Sequence, residues 1–146
     1  MAKNNLKNTL DRWFSLFVRL RDSDANGFGR CISCGKIVHF KEADCGHFIN
    51  RQHMNTRYDE RNCNLQCRKC NRFDEGNNTG YMQGLLKKYG NCIISELHIK
   101  KNFYKRYSDF ELEELIKVYK RKVKELQKKK NEEPFGACRK LLIQKK

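Results

Sequence analysis

The chain has 146 residues, 38% hydrophobic and 34% charged, with 32 Lys and Arg against 17 Asp and Glu, which gives a formal net charge of +15. That length suits one domain with appended helices rather than two independent cores, and no run reaches the roughly 18 apolar residues of a membrane-spanning helix. Residues 1–5 lead into a polar-interrupted stripe, not the apolar core of a secretion signal, so the expected setting is the cytoplasm and the expected partner a polyanion.

In chain order, Leu6, Leu10, Trp13, Phe17 and Leu20 recur at steps of three and four with Phe14 and Val18 beside them. This predicts one packing helix over residues 4–22, with Trp13 in the core. Arg19 and Arg21 lie off the stripe, where they reach either solvent or phosphate. Residues 22–27 (DSDANG) read as a helix stop and turn. Two knuckles follow, Cys31-x-x-Cys34 and Cys67-x-x-Cys70, and together they supply the four thiolates of a tetrahedral structural Zn²⁺. With no secretion signal, metal is a better reading of the eight cysteines than disulfides. Cys45, Cys63, Cys92 and Cys138 are left over as buried small hydrophobes or spare thiols.

The 32 residues between the knuckles exceed a minimal zinc ribbon. Residues 37–40 and 45–49 are short strand candidates, with His39 structural or exposed. Gly46-His47 sets an imidazole, suited to take a proton from water near neutral pH, beside a residue that lets a phosphodiester approach the backbone. Asp44 offers hard oxygen to Mg²⁺ or Mn²⁺. Arg51 is placed to clamp a phosphate, while His53 contacts backbone or solvent. Residues 52–62 read as a polar, mobile loop in which Arg57, Asp59 and Arg61 meet substrate or one another. Asn64 is positioned to brace the loop carrying His47. Asn71, directly after the second knuckle, sits at a helix start, either as a cap or aimed into the same pocket. Glu75, four residues on, would share its helical face.

Residues 81–89 predict a helix ending at Gly90, and residues 92–105 a second. Ser108-x-x-Glu111 is a capping box with Tyr107 and Leu112 at staple spacing. Leu112, Leu115, Ile116, Tyr119, Val123 and Leu126 then mark one face of a long helix to about Lys130. Its other face is basic, from Lys117 and Lys120 through Lys130. The apolar stripe is expected to pack on the zinc unit or to pair with a second copy. Residues 131–136, with Pro134 and Gly136, predict a break, followed by a frayed basic tail.

The order Cys-x-x-Cys, Gly-His, Asn-x-x-Cys-x-x-Cys-Asn resembles an HNH endonuclease of the ββα-metal class. The wider run FSLFVRLRDSDANGFGRCISCGK, DCGHFINR, TRYDERNCNLQCRKCNR and EGN is similar to the NinG (Rap) family of lambdoid phages over roughly residues 12–90. The resemblance implies structure-specific cleavage of branched DNA such as Holliday junctions and D-loops, in the host cytoplasm. It makes His47 the general base, Asn64 the bracing residue, Asn71 a ligand of the catalytic divalent ion, and Cys31, Cys34, Cys67 and Cys70 the zinc ligands. The usual ligand directly before the base is replaced by Gly46, so the first ligand falls to Asp44, with Asp59 or Glu75 as alternatives. The implied fold is α+β and mostly helical, in one domain. A packing helix (1–26) precedes a zinc-stapled HNH core (27–90) and a basic helical extension (91–146). A symmetrical junction invites a two-fold dimer. The rival reading is a non-catalytic zinc module that binds nucleic acid or regulates.

Overall fold

A helix with one apolar stripe needs a second apolar surface to cover it, and here two helices distant in sequence cover each other. The computed structural model describes the backbone of residues 3–143 and the side chains of residues 5–132. Helix α1 (Lys3–Arg21) lays Leu6, Leu10, Phe14, Phe17 and Val18 against Leu112, Ile116, Tyr119 and Val123 of the last helix, α5 (Asp109–Ile143). Phe14 stands edge-on to both Tyr58 and Tyr119, ring centres 5.5 and 4.9 Å apart, the favoured geometry for aromatic pairs. The stripe of α5 therefore packs on α1 and on Tyr58, the residue after the short helix of the central insert, rather than on the cysteine cluster.

The capping box closes as its spacing predicts: the Ser108 amide donates to Glu111 Oε2 (2.8 Å) and the Glu111 amide to Ser108 Oγ (3.1 Å). The predicted break at residues 131–136 does not occur, since α5 runs through Pro134 and Gly136 to Ile143. A proline deletes one backbone bond of a helix, and the Lys, Glu, Arg and Leu residues on either side favour continuing it. Cys138 and the side chains of the basic tail lie outside the described residues.

Between these helices the chain forms two antiparallel hairpins. Strands β1 (Phe28–Arg30) and β2 (Ile37–His39) flank the first knuckle. Strands β3 (Ala43–His47) and β4 (Cys63–Cys67) pair in the register Asp44↔Gln66, Gly46↔Asn64 and His47↔Cys63. Helix α2 (Met54–Arg57) caps the connection between β3 and β4. The stretch 52–62 expected to be a mobile charged loop is ordered around buried Thr56, Tyr58, Asp59 and Asn62. Asn62 is the reason: its Oδ1 accepts from the Ile49 amide (2.8 Å), and its Nδ2 donates to the carbonyls of Ile49 (3.0 Å) and Thr56 (3.1 Å). A short π-type turn (Lys69–Phe73) follows β4, then α3 (Asn78–Tyr89), capped by the Asn77 side chain, and α4 (Ile93–Lys101). These two helices bury Tyr81, Leu85, Ile93 and Leu97 with Ile49 in a second small core.

No described helix is long and apolar enough to cross a membrane.

Candidate active site and metal centre

Hairpin β1–β2 and the turn after β4 converge so that Cys31, Cys34, Cys67 and Cys70 place their sulfurs within 4.8 Å of one another, with Cys34 Sγ 3.8 Å from Cys67 Sγ. Donors already face the sulfurs: the Cys70 amide toward Cys67 Sγ (3.5 Å) and Asn77 Nδ2 toward Cys70 Sγ (3.4 Å). Four clustered thiols with N–H groups turned toward sulfur fit a tetrathiolate ion such as zinc. Gln66 ties the two halves of this centre together, its Nε2 donating to Ser33 Oγ (2.8 Å) and to the Gly76 carbonyl (2.6 Å).

Gln66 also explains Gly46. A Cβ at Gly46 would lie 2.1 Å from Gln66 Oε1, and Gly46 is buried with its carbonyl accepting from Tyr81 Oη (2.8 Å). Glycine is required there by the protein's own interior, not by the approach of a phosphodiester. A side chain at this position would sit on the sealed face of the hairpin.

Beside the hairpin opens a cleft of about 720 Å³. Its walls include Asp44, His47, Arg51 and Asn71, together with Arg19, Arg68 and Arg72. His47 donates Nε2–H to the Arg57 carbonyl at 3.0 Å; a carbonyl can only accept, so the ring proton is on Nε2 and Nδ1 keeps its lone pair. Among the described residues nothing bonds Nδ1, and it is not sealed from solvent. Burial, reinforced by the charges of Arg51 and Arg57, lowers the His47 pKa to about 4, so the ring is neutral near pH 7. The acceptor is itself fixed, because the Arg57 guanidinium grips Asp11 of α1, to which Tyr58 Oη also donates (2.9 Å). What this ring can do is take a proton at Nδ1.

Asp44 and Asn71 meet across the same cleft, Asn71 Nδ2 donating to Asp44 Oδ2 at 3.0 Å. Arg72 adds a two-pronged pair to Asp44, Nε to Oδ2 at 2.7 Å and Nη2 to Oδ1 at 2.8 Å. Partial burial alone would raise the Asp44 pKa, but the bonds from Arg72 and Asn71 outweigh it and lower it. The carboxylate is therefore ionised, with both oxygens engaged by Arg72 and Asn71, so that a cation on Asp44 would have to displace Arg72. Asn71 sits inside the turn Lys69–Phe73 and is not the cap of a following helix.

The remaining sequence candidates lie elsewhere. Glu75 falls beyond that turn, at φ 50°, and does not line the cleft, because the turn ends before a helical face could carry it there. Asp59 is buried against Lys100 Nζ (2.7 Å) and the Arg61 amide (2.9 Å), a structural ion pair. Asn64 is buried on the face opposite His47. Its Nδ2 donates to the Arg61 carbonyl (3.1 Å) and Tyr81 Oη (3.3 Å), and its Oδ1 accepts from Lys88 (2.7 Å). It braces the hairpin through Tyr81, whereas Asn62, which the sequence did not single out, holds the loop itself. Arg21 is likewise structural, bonded to Asp22 and to the carbonyls of Glu60 (2.7 Å) and Cys63 (2.9 Å).

Arg68 and Arg72 went unnoticed as cleft residues, their only sequence signal being their position around the second knuckle. A second cluster was also missed. Cys45, His47 and Cys63 lie within 4.8 Å of one another. Two of its members are already committed, since the Cys63 thiol donates to the same Arg57 carbonyl (3.5 Å) as His47.

Comparison with known proteins identifies the family of the sequence. Residues 2–131 match the family described as "Bacteriophage Lambda NinG protein". "Protein ninG" of Escherichia phage 933W is 31% identical over 117 residues, covering 80% of this chain and 55% of the relative. Those of Salmonella phage P22 and Escherichia phage lambda are each 30% identical over the same length, with 55% and 54% of the relative covered. The chain thus spans about half the length of the curated relatives it matches. No solved structure matches. By sequence, then, this chain belongs to the NinG family of bacteriophage proteins.

Proposed function

We propose that this chain is a metal-dependent endodeoxyribonuclease of HNH type that cuts branched DNA in the host cytoplasm. One observation carries the reading: His47, Asp44 and Asn71 open on a single cleft whose walls also offer Arg19, Arg51, Arg68 and Arg72.

His47 Nδ1 takes a proton from water, and the oxygen so activated forms a bond to phosphorus as the bond to the 3′ oxygen breaks. The product ends are a 5′ phosphate and a 3′ hydroxyl, the latter protonated from solvent. Arg51 and Arg68 hold the phosphate and neutralise it. Asp44 and Asn71 would hold Mg²⁺ or Mn²⁺, which supplies positive charge to the developing oxyanion and leaving oxygen. Arg72, whose side chain is 53% exposed, pairs with Asp44 and would be available to the DNA backbone if an ion took its place there. Cys31, Cys34, Cys67 and Cys70 would hold zinc, which would pin the first hairpin to the end of β4 and the turn carrying Asn71. Charge supplies affinity and the shape of the branch supplies specificity, with two copies suited to a symmetrical junction.

The test is purified protein with Mg²⁺ or Mn²⁺ on a four-way junction and a matched duplex. Wild type is expected to nick the junction, and His47→Ala to lose cleavage while keeping zinc and DNA affinity. If wild type nicks neither substrate, a non-catalytic zinc module that binds nucleic acid is the better account. Loss of zinc in His47→Ala would make the histidine a zinc ligand instead.

A further inference from the structure

Beyond the cleft, the most exposed aromatic side chain among the described residues, Tyr104, stands between α4 and α5 with Phe103 beside it. Phe103 is 65% exposed and Tyr104 88%, in the run Lys101-Asn102-Phe103-Tyr104-Lys105-Arg106. A folded chain ordinarily turns such rings inward, because each removes 150–250 Å² of surface from water when covered. Here the backbone holds them out. Asn55 of α2 donates from Nδ2 to the carbonyls of both Lys100 (2.8 Å) and Phe103 (3.1 Å). On the far side Tyr107 packs against Tyr58, ring centres 5.8 Å apart, with Lys105 Nζ 4.6 Å above the Tyr107 ring and bonded to Glu111 (2.8 Å). The two rings are thus presented on a loop anchored at both ends.

Their surroundings select the occupant. Two shallow grooves run beside Tyr104 and share Met54 and Lys105. One includes Lys7 and Arg106, the other Lys101 and Phe103, and no acidic residue lines either. Flat π faces among cations match a nucleic acid strand, whose bases stack and whose phosphates pair. The second groove begins at Gln52 and His53, directly after Arg51 on the cleft wall, which makes the two openings neighbours along the chain.

We propose that Phe103 and Tyr104 form a stacking platform for unpaired bases of a DNA strand that continues out of the candidate active cleft. The proposal rests on the DNA-binding part of the reading above, not on cleavage. It names the feature of a branch that this chain grips, the unpaired nucleotides beside the duplex.

The experiment measures binding without added divalent ion, so that its outcome is independent of whether the chain is a nuclease. The probe is a duplex with a short single-stranded flap carrying 2-aminopurine, compared with the same duplex lacking the flap. Wild type is expected to quench the 2-aminopurine emission and to bind the flapped duplex about tenfold or more tighter than the plain one. The Phe103→Ala/Tyr104→Ala variant should lose the quench and the preference while keeping plain-duplex affinity and zinc content; Tyr104→Trp should keep all four. An unchanged quench in the double variant overturns the proposal, and so does an equal loss on both DNAs. A variant that keeps the flap preference but loses self-association, or loses binding to phosphatidylserine vesicles, overturns it in favour of a protein or a lipid partner.

Discussion

His47 donates its Nε2–H to the carbonyl of Arg57 at 3.0 Å, which leaves Nδ1 as the only basic atom of the ring. Burial lowers the pKa to about 4, so the neutral form is present above that value and is lost only as pH falls through it. Nicking measured as kcat/KM at saturating metal is therefore expected to stay level from about pH 5.5 to 8, without the inflection near 6.5 of an exposed imidazole. In kcat, which reports the DNA-bound form, the acid limb should move upward because nearby phosphates favour imidazolium. A kcat/KM limb centred near 6.5 would contradict the buried setting of the base.

Asp44 is neutralised by an arginine that the proposed cation must displace. Arg72→Ala is thus expected to raise the affinity for Mn²⁺ while weakening DNA binding, and Asp44→Asn to lower Mn²⁺ affinity and nicking together. A loss of about 100-fold or more in nicking is the scale expected for a direct ligand, above the 10–100-fold typical of residues that only orient ligands. Calorimetric titration of Mn²⁺ into each variant checks both directions. Weaker Mn²⁺ binding in Arg72→Ala would remove the idea that arginine and ion compete.

The four-sulfur centre joins the first hairpin to the end of β4, where few apolar side chains back it: Val38 is the hydrophobic neighbour of the buried cysteines. Structural zinc binding is worth about 10–16 kcal/mol in small domains, comparable to a whole domain's stability. One zinc per chain is expected by elemental analysis. Cys67→Ser should lose it and lower the melting temperature sharply, whereas Cys92→Ser, exposed and outside both cysteine clusters, should melt like wild type. Full thermal stability in zinc-free Cys67→Ser protein would make the cluster dispensable.

How much of this was legible follows from the range of the interactions. The stripes of α1 and α5 and the Ser108–Glu111 box are local and periodic, and the knuckle spacings are local too, so each was readable. Strand β4 was not, because its five residues Cys63–Cys67 alternate apolar and polar over too short a run to stand out, and burial of all five hides the usual inside–outside distinction. Asn64 and Gln66 make it look like a loop, and their burial is tolerable only through partners such as Tyr81, Lys88 and Ser33, up to 33 residues away. The same distance effect hid why position 46 is glycine, since Gln66 fills its space from the neighbouring strand. His47, set between the knuckles, and Asn71, directly after the second, do line one cleft. Arg72 was not legible there, because only a tight turn after Cys70 folds it back onto Asp44.

The basic face of α5 divides into cations that hold the fold and cations that face solvent. Lys122 pairs with Glu60 and lies over the rings of Phe17 (4.9 Å) and Tyr119 (5.2 Å), and Lys130 donates to the carbonyls of Ser23 and Asp24. Lys124, Lys128 and Lys129 are exposed. Reversing Lys124 and Lys129 to Glu should leave the melting temperature near wild type and weaken DNA binding. If both contact phosphate, the slope of log affinity against log salt should flatten by about 0.9 for each lost contact. Lys122→Glu should instead lower the melting temperature, because it sets a carboxylate against Glu60 at the α1–α5 seam. Filter binding across a salt series, with thermal melts of the same samples, separates the two groups. An unchanged slope in the Lys124/Lys129 variant would mean that the outer face of α5 is solvated charge and that DNA meets the chain at the cleft arginines instead.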